Sequence, residues 1–136
     1  MAGLGNFLET ALLNVMRGID LTASATYYVA LHTADPTDAG TGTEVTGGSY
    51  ARAAITASTA WTVPADDGTG LMEITNQNAV AYTEATANWG TVTHVGVWDA
   101  LTNGNMLWSA PLDASRSVTT GTTFSFAAGD ITLKAG

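Results

Sequence analysis

The sequence predicts a mostly β protein, an antiparallel β-sandwich of jelly-roll or immunoglobulin-like Greek-key type, preceded by one amphipathic α-helix. After residue 20, short segments rich in Val, Ile, Tyr, Trp and Thr alternate with clusters of Gly, Asp, Asn and Pro. The segments recur roughly every 8–12 residues with no helical pattern between them, which is typical of antiparallel sheets. We therefore expect one domain over residues 1–136, with a helix over 1–18 and the sandwich over 24–136.

The N-terminal helix is predicted from apolar residues that are spaced along one helical face: Leu4, Phe7, Leu8, Ala11, Leu12, Val15 and Met16. Arg17 suits the negative end of the helix dipole, and Gly18 suits the left-handed position that follows a helix. A secretion signal is not expected, because no basic residue precedes the apolar part and Glu9 interrupts it. The apolar stripe packs either on its own sandwich or on a neighbouring subunit, and five of its residues form the candidate assembly surface: Leu4, Phe7, Leu8, Leu12 and Val15.

A series of strands follows the helix, each bounded by turn residues, at positions 26–32, 50–57, 70–75, 79–83, 91–98, 105–110, 116–118, 122–126 and 130–134. In the clearest strand, alternation places Thr93, Val95 and Val97 on one face. The opposite face of that strand then carries Val92, His94, Gly96 and Trp98. A turn over 99–104 is expected to send the chain back antiparallel into the next strand.

The longest predicted loop spans residues 34–49. The glycine pair at 47–48 allows the positive φ angles of a tight turn before the next strand. Arg52 follows this turn and is one of only four basic residues in the chain. We expect Arg52 to pair with an acidic loop residue such as Glu44 or Asp35, and so to pin the loop.

Composition and charge exclude several classes of protein. The chain carries 12 acidic and 4 basic side chains, a net charge of −8, so phosphate backbones and anionic membranes would repel it. We expect no nucleic-acid partner and no membrane partner, and no apolar run approaches the ~18 residues of a membrane span. The absence of cysteine excludes disulfides and thiolate chemistry. Only 12% of residues are charged, which favours packed, static interfaces and a chain that assembles.

Catalytic patterns are weak throughout the sequence. His32 and His94 lie on predicted strands, but no G-x-S-x-G motif accompanies them and their wide separation is not a local metal signature. We interpret both as structural histidines that are hydrogen-bonded within the sheet. The acidic stretch 66–70 resembles a fragment of a calcium loop, yet it lacks the spaced ligands and the final Glu, so a polar turn is favoured. We therefore expect no catalytic residue, no cofactor and no metal site.

Four tryptophans are many for a chain of this length. Trp98 and Trp108 are expected to face each other across the predicted hairpin and to fill the core. Trp61 and Trp89 flank loops, where they either pack in the core or serve a binding surface by stacking on a ligand such as carbohydrate.

Several separate motifs resemble, in the same order, a family of small structural proteins of tailed-phage virions, many of them labelled tail fibre proteins. The motifs are YVALHTADP (28–36), EVTGGSYAR (44–52), ANWGTVTHVGVWDA (87–100), GNMLW (104–108) and FAAGD (126–130). The resemblance covers nearly the whole chain and implies a non-enzymatic component of the virion, made in the cytoplasm of the bacterial host. It supplies no catalytic residues.

Two virion roles are compatible with this resemblance. A tail fibre usually has a shaft, but the chain has no extended repeat, no collagen-like glycine period and no heptads. We therefore favour a capsid decoration, or cement, protein that binds the major capsid protein, with a tail fibre or tail-tip adaptor as the alternative. In either role we expect a homo-oligomer, and favour a trimer.

Overall fold

Strands rich in β-branched and aromatic residues make up most of the molecule, as the sequence predicts. The computed structural model describes residues 3–135, so the outermost parts of the predicted helix and sandwich, Met1, Ala2 and Gly136, lie outside the described residues. Strand accounts for 39% and helix for 11% of the structure. In chain order the elements are β1 Gly3–Leu4, α1 Asn6–Val15, β2 Thr26–His32, β3 Ala53–Thr56, α2 Ala57–Ala60, β4 Ala65–Asp66, β5 Met72–Thr75, β6 Val80–Ala81, β7 Gly90–Trp98, β8 Met106–Val118, β9 Ser125–Phe126 and β10 Thr132–Ala135.

The main sheet is antiparallel and has five strands in the order β1-β8-β7-β2-β3. Two smaller sheets, β10-β5-β4 and β6-β9, supply the other side of the hydrophobic core. From the main sheet the core takes Val29, Leu31, Val95, Val97 and Trp108. From the opposing side it takes Val80, Tyr82, Phe124, Phe126 and Ile131. The predicted sandwich is confirmed, and it is not closed into a barrel.

Several element boundaries differ from the prediction. The strand predicted over 50–57 is the shorter β3, and the short helix α2 follows it directly. The two strands predicted over 105–110 and 116–118 are parts of the single long strand β8. Turn-forming residues such as Asp113 lie inside β8, so its continuity is not visible in the sequence pattern.

A β-bulge in β7 changes which side chains reach the core. Val92 lies opposite Arg116, whereas His94 lies opposite Pro111, so the pairing register shifts between them. Such a shift breaks the strict alternation of a strand. Val92 is therefore fully buried in the same cluster as Val95 and Val97, and the prediction that it lies on the opposite face is wrong.

The two central tryptophans are both buried, but on opposite faces of the main sheet. In the β7–β8 ladder Trp98 lies opposite Met106, and Trp108 lies opposite Val97. Because neighbouring residues of a strand point to opposite faces, Trp108 joins the main core while Trp98 packs with Ala30 and Met106 in a second, smaller cluster. The prediction that Trp98 and Trp108 face each other is thus wrong, although both do fill apolar clusters.

The start of α1 is fixed by close contact with the sheet. Leu4 is not part of the helix, because it pairs with Trp108 of β8 as a strand residue. Gly5 then donates its N–H to the Leu107 carbonyl at 2.8 Å, and Asn6 donates to the Asp38 carbonyl at 2.8 Å. At its other end the helix stops before residue 18, where glycine adopts the predicted left-handed conformation (φ 79°).

Replacing Gly5 with alanine is expected to destabilise the fold by about 1–3 kcal/mol. The added Cβ would lie 2.4 Å from the Met106 carbonyl oxygen, so β1 and β8 would have to move apart. Gly3→Ala is the matched control, because a Cβ there meets no atom within 4 Å. Urea unfolding followed by tryptophan fluorescence measures both variants, and equal midpoints would contradict the prediction.

Candidate assembly surface

The candidate assembly surface lies on α1, which adds little to the core of its own subunit. The helix packs mainly against β8, and none of its residues is buried. Of the five predicted surface residues, Leu4 packs at the edge of the core and Leu8 is half-buried. The other three keep 44–47% of their surface exposed: Phe7, Leu12 and Val15. The stripe is therefore shared between the sandwich and solvent.

The exposed apolar surface extends beyond the predicted stripe. Leu13 is 71% exposed and Met16 is 86% exposed, and the segment after the helix adds Ile19 and Leu21. We call the whole set the N-terminal apolar face: Phe7, Leu12, Leu13, Val15, Met16, Ile19 and Leu21. A helix that is apolar on most sides is normally covered on most sides. Neither helix in residues 3–135 has the length and apolar character needed to cross a membrane.

A groove of about 410 Å³ runs beside α1. The helix, the segment that follows it and the β10-β5-β4 sheet form its walls, through Phe7, Leu8, Leu21, Tyr27, Met72 and Leu133. Most of this lining is apolar. The N-terminal apolar face and this groove thus form one continuous non-polar region on the surface.

The loop over 34–49 is pinned by the predicted ion pair, and the acidic partner is Glu44. The Arg52 guanidinium, with only 5% of its side chain exposed, donates to both carboxylate oxygens of Glu44 at 2.8 Å. The same guanidinium donates to the backbone carbonyls of Ala100 (2.7 Å) and Asn103 (2.8 Å). One side chain therefore joins the long loop to the turn between β7 and β8.

Tyr50 extends this network into the main sheet. Its hydroxyl donates to Glu44 Oε1 at 2.9 Å and accepts the Leu31 N–H at 3.0 Å. Burial raises the pKa of Tyr50, so the hydroxyl keeps its proton. Burial also opposes the charge of Glu44, but the hydrogen bonds and positive charge of Arg52 hold the pKa of that carboxyl below its usual value.

The two histidines lie directly opposite each other in the β2–β7 ladder. His32 is fully buried and stacks on Trp98 at a centroid distance of 6.2 Å, and the Arg52 guanidinium lies 4.2 Å from the Trp98 ring centre. Neither ring nitrogen of His32 makes a hydrogen bond of ordinary geometry within residues 3–135, so packing rather than hydrogen bonding holds this ring. The predicted hydrogen bond is found only for His94, whose Nδ1 lies 2.9 Å from Thr93 Oγ1.

The acidic stretch 66–70 forms a polar turn. The Asp67 carboxylate accepts hydrogen bonds from the Thr69 hydroxyl (2.6 Å), the Thr69 N–H (2.8 Å) and Lys134 Nζ (2.7 Å). These contacts, the Lys134 hydrogen bond foremost, hold the pKa of Asp67 below its usual range. In the described part of the chain, no three His, Asp or Glu side chains gather as metal ligands would. The polar-turn interpretation accounts for every contact of this carboxylate.

The tryptophans near loops have different surroundings. Trp89 is buried, packs edge-on against Tyr50, and donates its indole N–H to the Gly48 carbonyl at 2.9 Å. It is therefore a core residue and not part of a binding surface. Trp61 is half-buried and lines the groove beside α1, so it remains available to a partner.

Replacing Arg52 with alanine is expected to cost about 3–5 kcal/mol of stability, because it leaves the half-buried Glu44 and two backbone carbonyls without their donor. Arg17→Ala is the control, since Arg17 is exposed and donates only to Asn14 one turn away, so a change within about 0.5 kcal/mol is expected. Urea unfolding at neutral pH compares the two variants. Similar losses in both would contradict a central role for the ion pair.

The folded chain is also expected to lose stability between pH 7 and pH 5 because of His32. Burial lowers the pKa of His32, so below its ordinary value of 6.5 the unfolded chain binds a proton that the folded chain resists. Unfolding therefore becomes easier as the pH falls through this window. His32→Phe and His32→Gln both remove the titration, one without and one with polarity, and both should flatten the dependence of the urea midpoint on pH. Wild-type slopes in both variants would rule out His32 as the cause.

Comparison with known families follows the same order of motifs as the fold. The family model described as Podophage GP4 fiber I protein gp80 matches residues 3–134, which is nearly the entire chain. Comparison with curated proteins gives no match. The resemblance to phage tail fibre proteins is thereby confirmed. The chain belongs to the podophage GP4 fiber I protein gp80 family.

Proposed function

We propose that this chain is a non-enzymatic structural module of a phage tail fibre. The match over residues 3–134 carries the proposal, because membership of a fibre protein family makes the chain a component of the virion. The capsid decoration role that the sequence alone favours is not supported by this match, which instead supports the alternative. The missing shaft is then explained if the chain is one module of a fibre rather than a whole fibre.

The surroundings of the reactive side chains support a structural role. His32 is sealed between strands and stacked on Trp98, and Glu44 is neutralised by Arg52. Asp67 is occupied by its own turn and by Lys134. Each of these groups contributes to packing or to loop geometry, and a catalytic acid or base instead needs access to a substrate.

The physical character of the fold also suits a fibre module. A sandwich with a continuous core gives a rigid body, since protein interiors pack as densely as organic crystals. The N-terminal apolar face gives that body one surface that favours a protein partner over water. Rigid bodies joined through apolar faces are what a stable multi-copy assembly requires.

The number of copies per virion tests this proposal. In purified virions of the phage that encodes the chain, we expect a small multiple of three or six copies, as tail symmetry demands. Trypsin cleaves after Arg116 and Lys134, so an isotope-labelled peptide of residues 117–134 serves as the mass-spectrometric standard. The major capsid protein, measured in the same digest, supplies the reference. Hundreds of copies in fixed ratio to that protein would place the chain on the head and overturn the proposal.

A further inference from the structure

We propose that the N-terminal apolar face binds a second copy of this chain, with the exposed side of α1 from one copy seated in the groove beside α1 of the next. The contact follows from the structure of the isolated chain. It does not depend on where in the virion the chain resides.

The size of the apolar face is the first argument. Its seven side chains expose roughly 700 Å² between them, since a large apolar side chain offers about 150–200 Å² when fully exposed. The largest apolar patch on a typical monomer is about 300–600 Å², and a stable interface covers about 800 Å² on each partner. This face alone therefore supplies most of what a specific protein contact needs.

The second argument is the low stability of α1 by itself. The helix has ten residues, and none of them is buried. Isolated helices shorter than about 12–15 residues are marginal in water, and most helical stability in proteins comes from packing of an apolar face. A contact that covers Leu12, Leu13 and Met16 would supply that packing.

The third argument concerns geometry and selects the arrangement of copies. Phe7 and Leu8 line the groove, whereas Leu13 lies roughly 120–140° around the helix from them, at about 100° per residue. One copy therefore presents a protruding apolar side and a recess in different directions, and the two cannot meet within one subunit. Contacts between unlike surfaces of identical chains join head to tail and close into rings. A ring is consistent with the trimer that we favour from the sequence.

Charge favours a second copy over a strongly charged partner. The whole chain has a net charge of −8, so two copies repel each other over most of their surface. Residues 6–21 carry only Glu9, Arg17 and Asp20, so identical chains can approach there with the least repulsion. Arg17 of one copy can then meet an acidic residue of the next at the rim of the contact.

Light scattering on the purified full chain tests the proposal. Wild type should form a closed oligomer, with a trimer expected, at micromolar concentration. Leu13→Asp combined with Met16→Asp should raise the concentration needed for assembly at least about tenfold. Both positions are exposed, so circular dichroism and the urea midpoint should match wild type. Asn6→Asp combined with Thr10→Asp adds the same charge on the polar side of α1 and should assemble as wild type does.

Cross-linking locates the contact, because the chain has no native cysteine. Leu13→Cys and Met72→Cys place one thiol each on the protruding side and on the groove wall. A short bismaleimide should join the two variants when they are mixed, and should leave each variant alone essentially uncoupled. A wild-type chain that stays monomeric to millimolar concentration, or an oligomer that survives the double aspartate change, would overturn the proposal. These readouts use the isolated protein, so they fail or succeed separately from the virion copy number.

Discussion

The buried ion pair between Arg52 and Glu44 is the constraint on which one end of the sandwich depends. A buried charge needs a full set of partners, and Arg52 finds them in one carboxylate, two carbonyls and the Trp98 ring. Those partners come from the long loop, from the β7–β8 turn and from the end of β7. Removing the guanidinium would therefore release three segments at once, since no other cation in residues 3–135 is buried.

The position of the apolar face follows from this constraint. Asn6 starts α1 by donating to Asp38, which belongs to the loop that Glu44 pins. Gly5 reaches the Leu107 carbonyl just beyond the turn that Arg52 holds. The helix is thus attached at its first residues to two segments of the same network, and the rest of it extends over the groove. Its exposure is a fixed feature of the fold, produced by where its base is anchored.

Sequence reasoning succeeded where one physical preference dominates. Strand β2 was predicted at its observed boundaries because aromatic and β-branched residues are continuous there, and the Arg52 ion pair followed from the scarcity of cations. It failed where tertiary contacts decide. The bulge in β7 and the strand pairing of Leu4 leave no mark on local periodicity. Leu13 was missed because a helix was assumed to have one apolar face, although the adjacent pair Leu12-Leu13 already departs from that pattern.

The fold uses its polar groups internally and offers apolar surface externally, and this division has a consequence for assembly. His32, Glu44, Arg52 and Asp67 are all committed to contacts within the subunit. Recognition between subunits must then rest on shape and burial rather than on charge. Burial of apolar surface depends little on ionic strength, whereas exposed ion pairs weaken as salt rises. A contact of this kind suits a particle that leaves the cell and meets media of widely differing salt content.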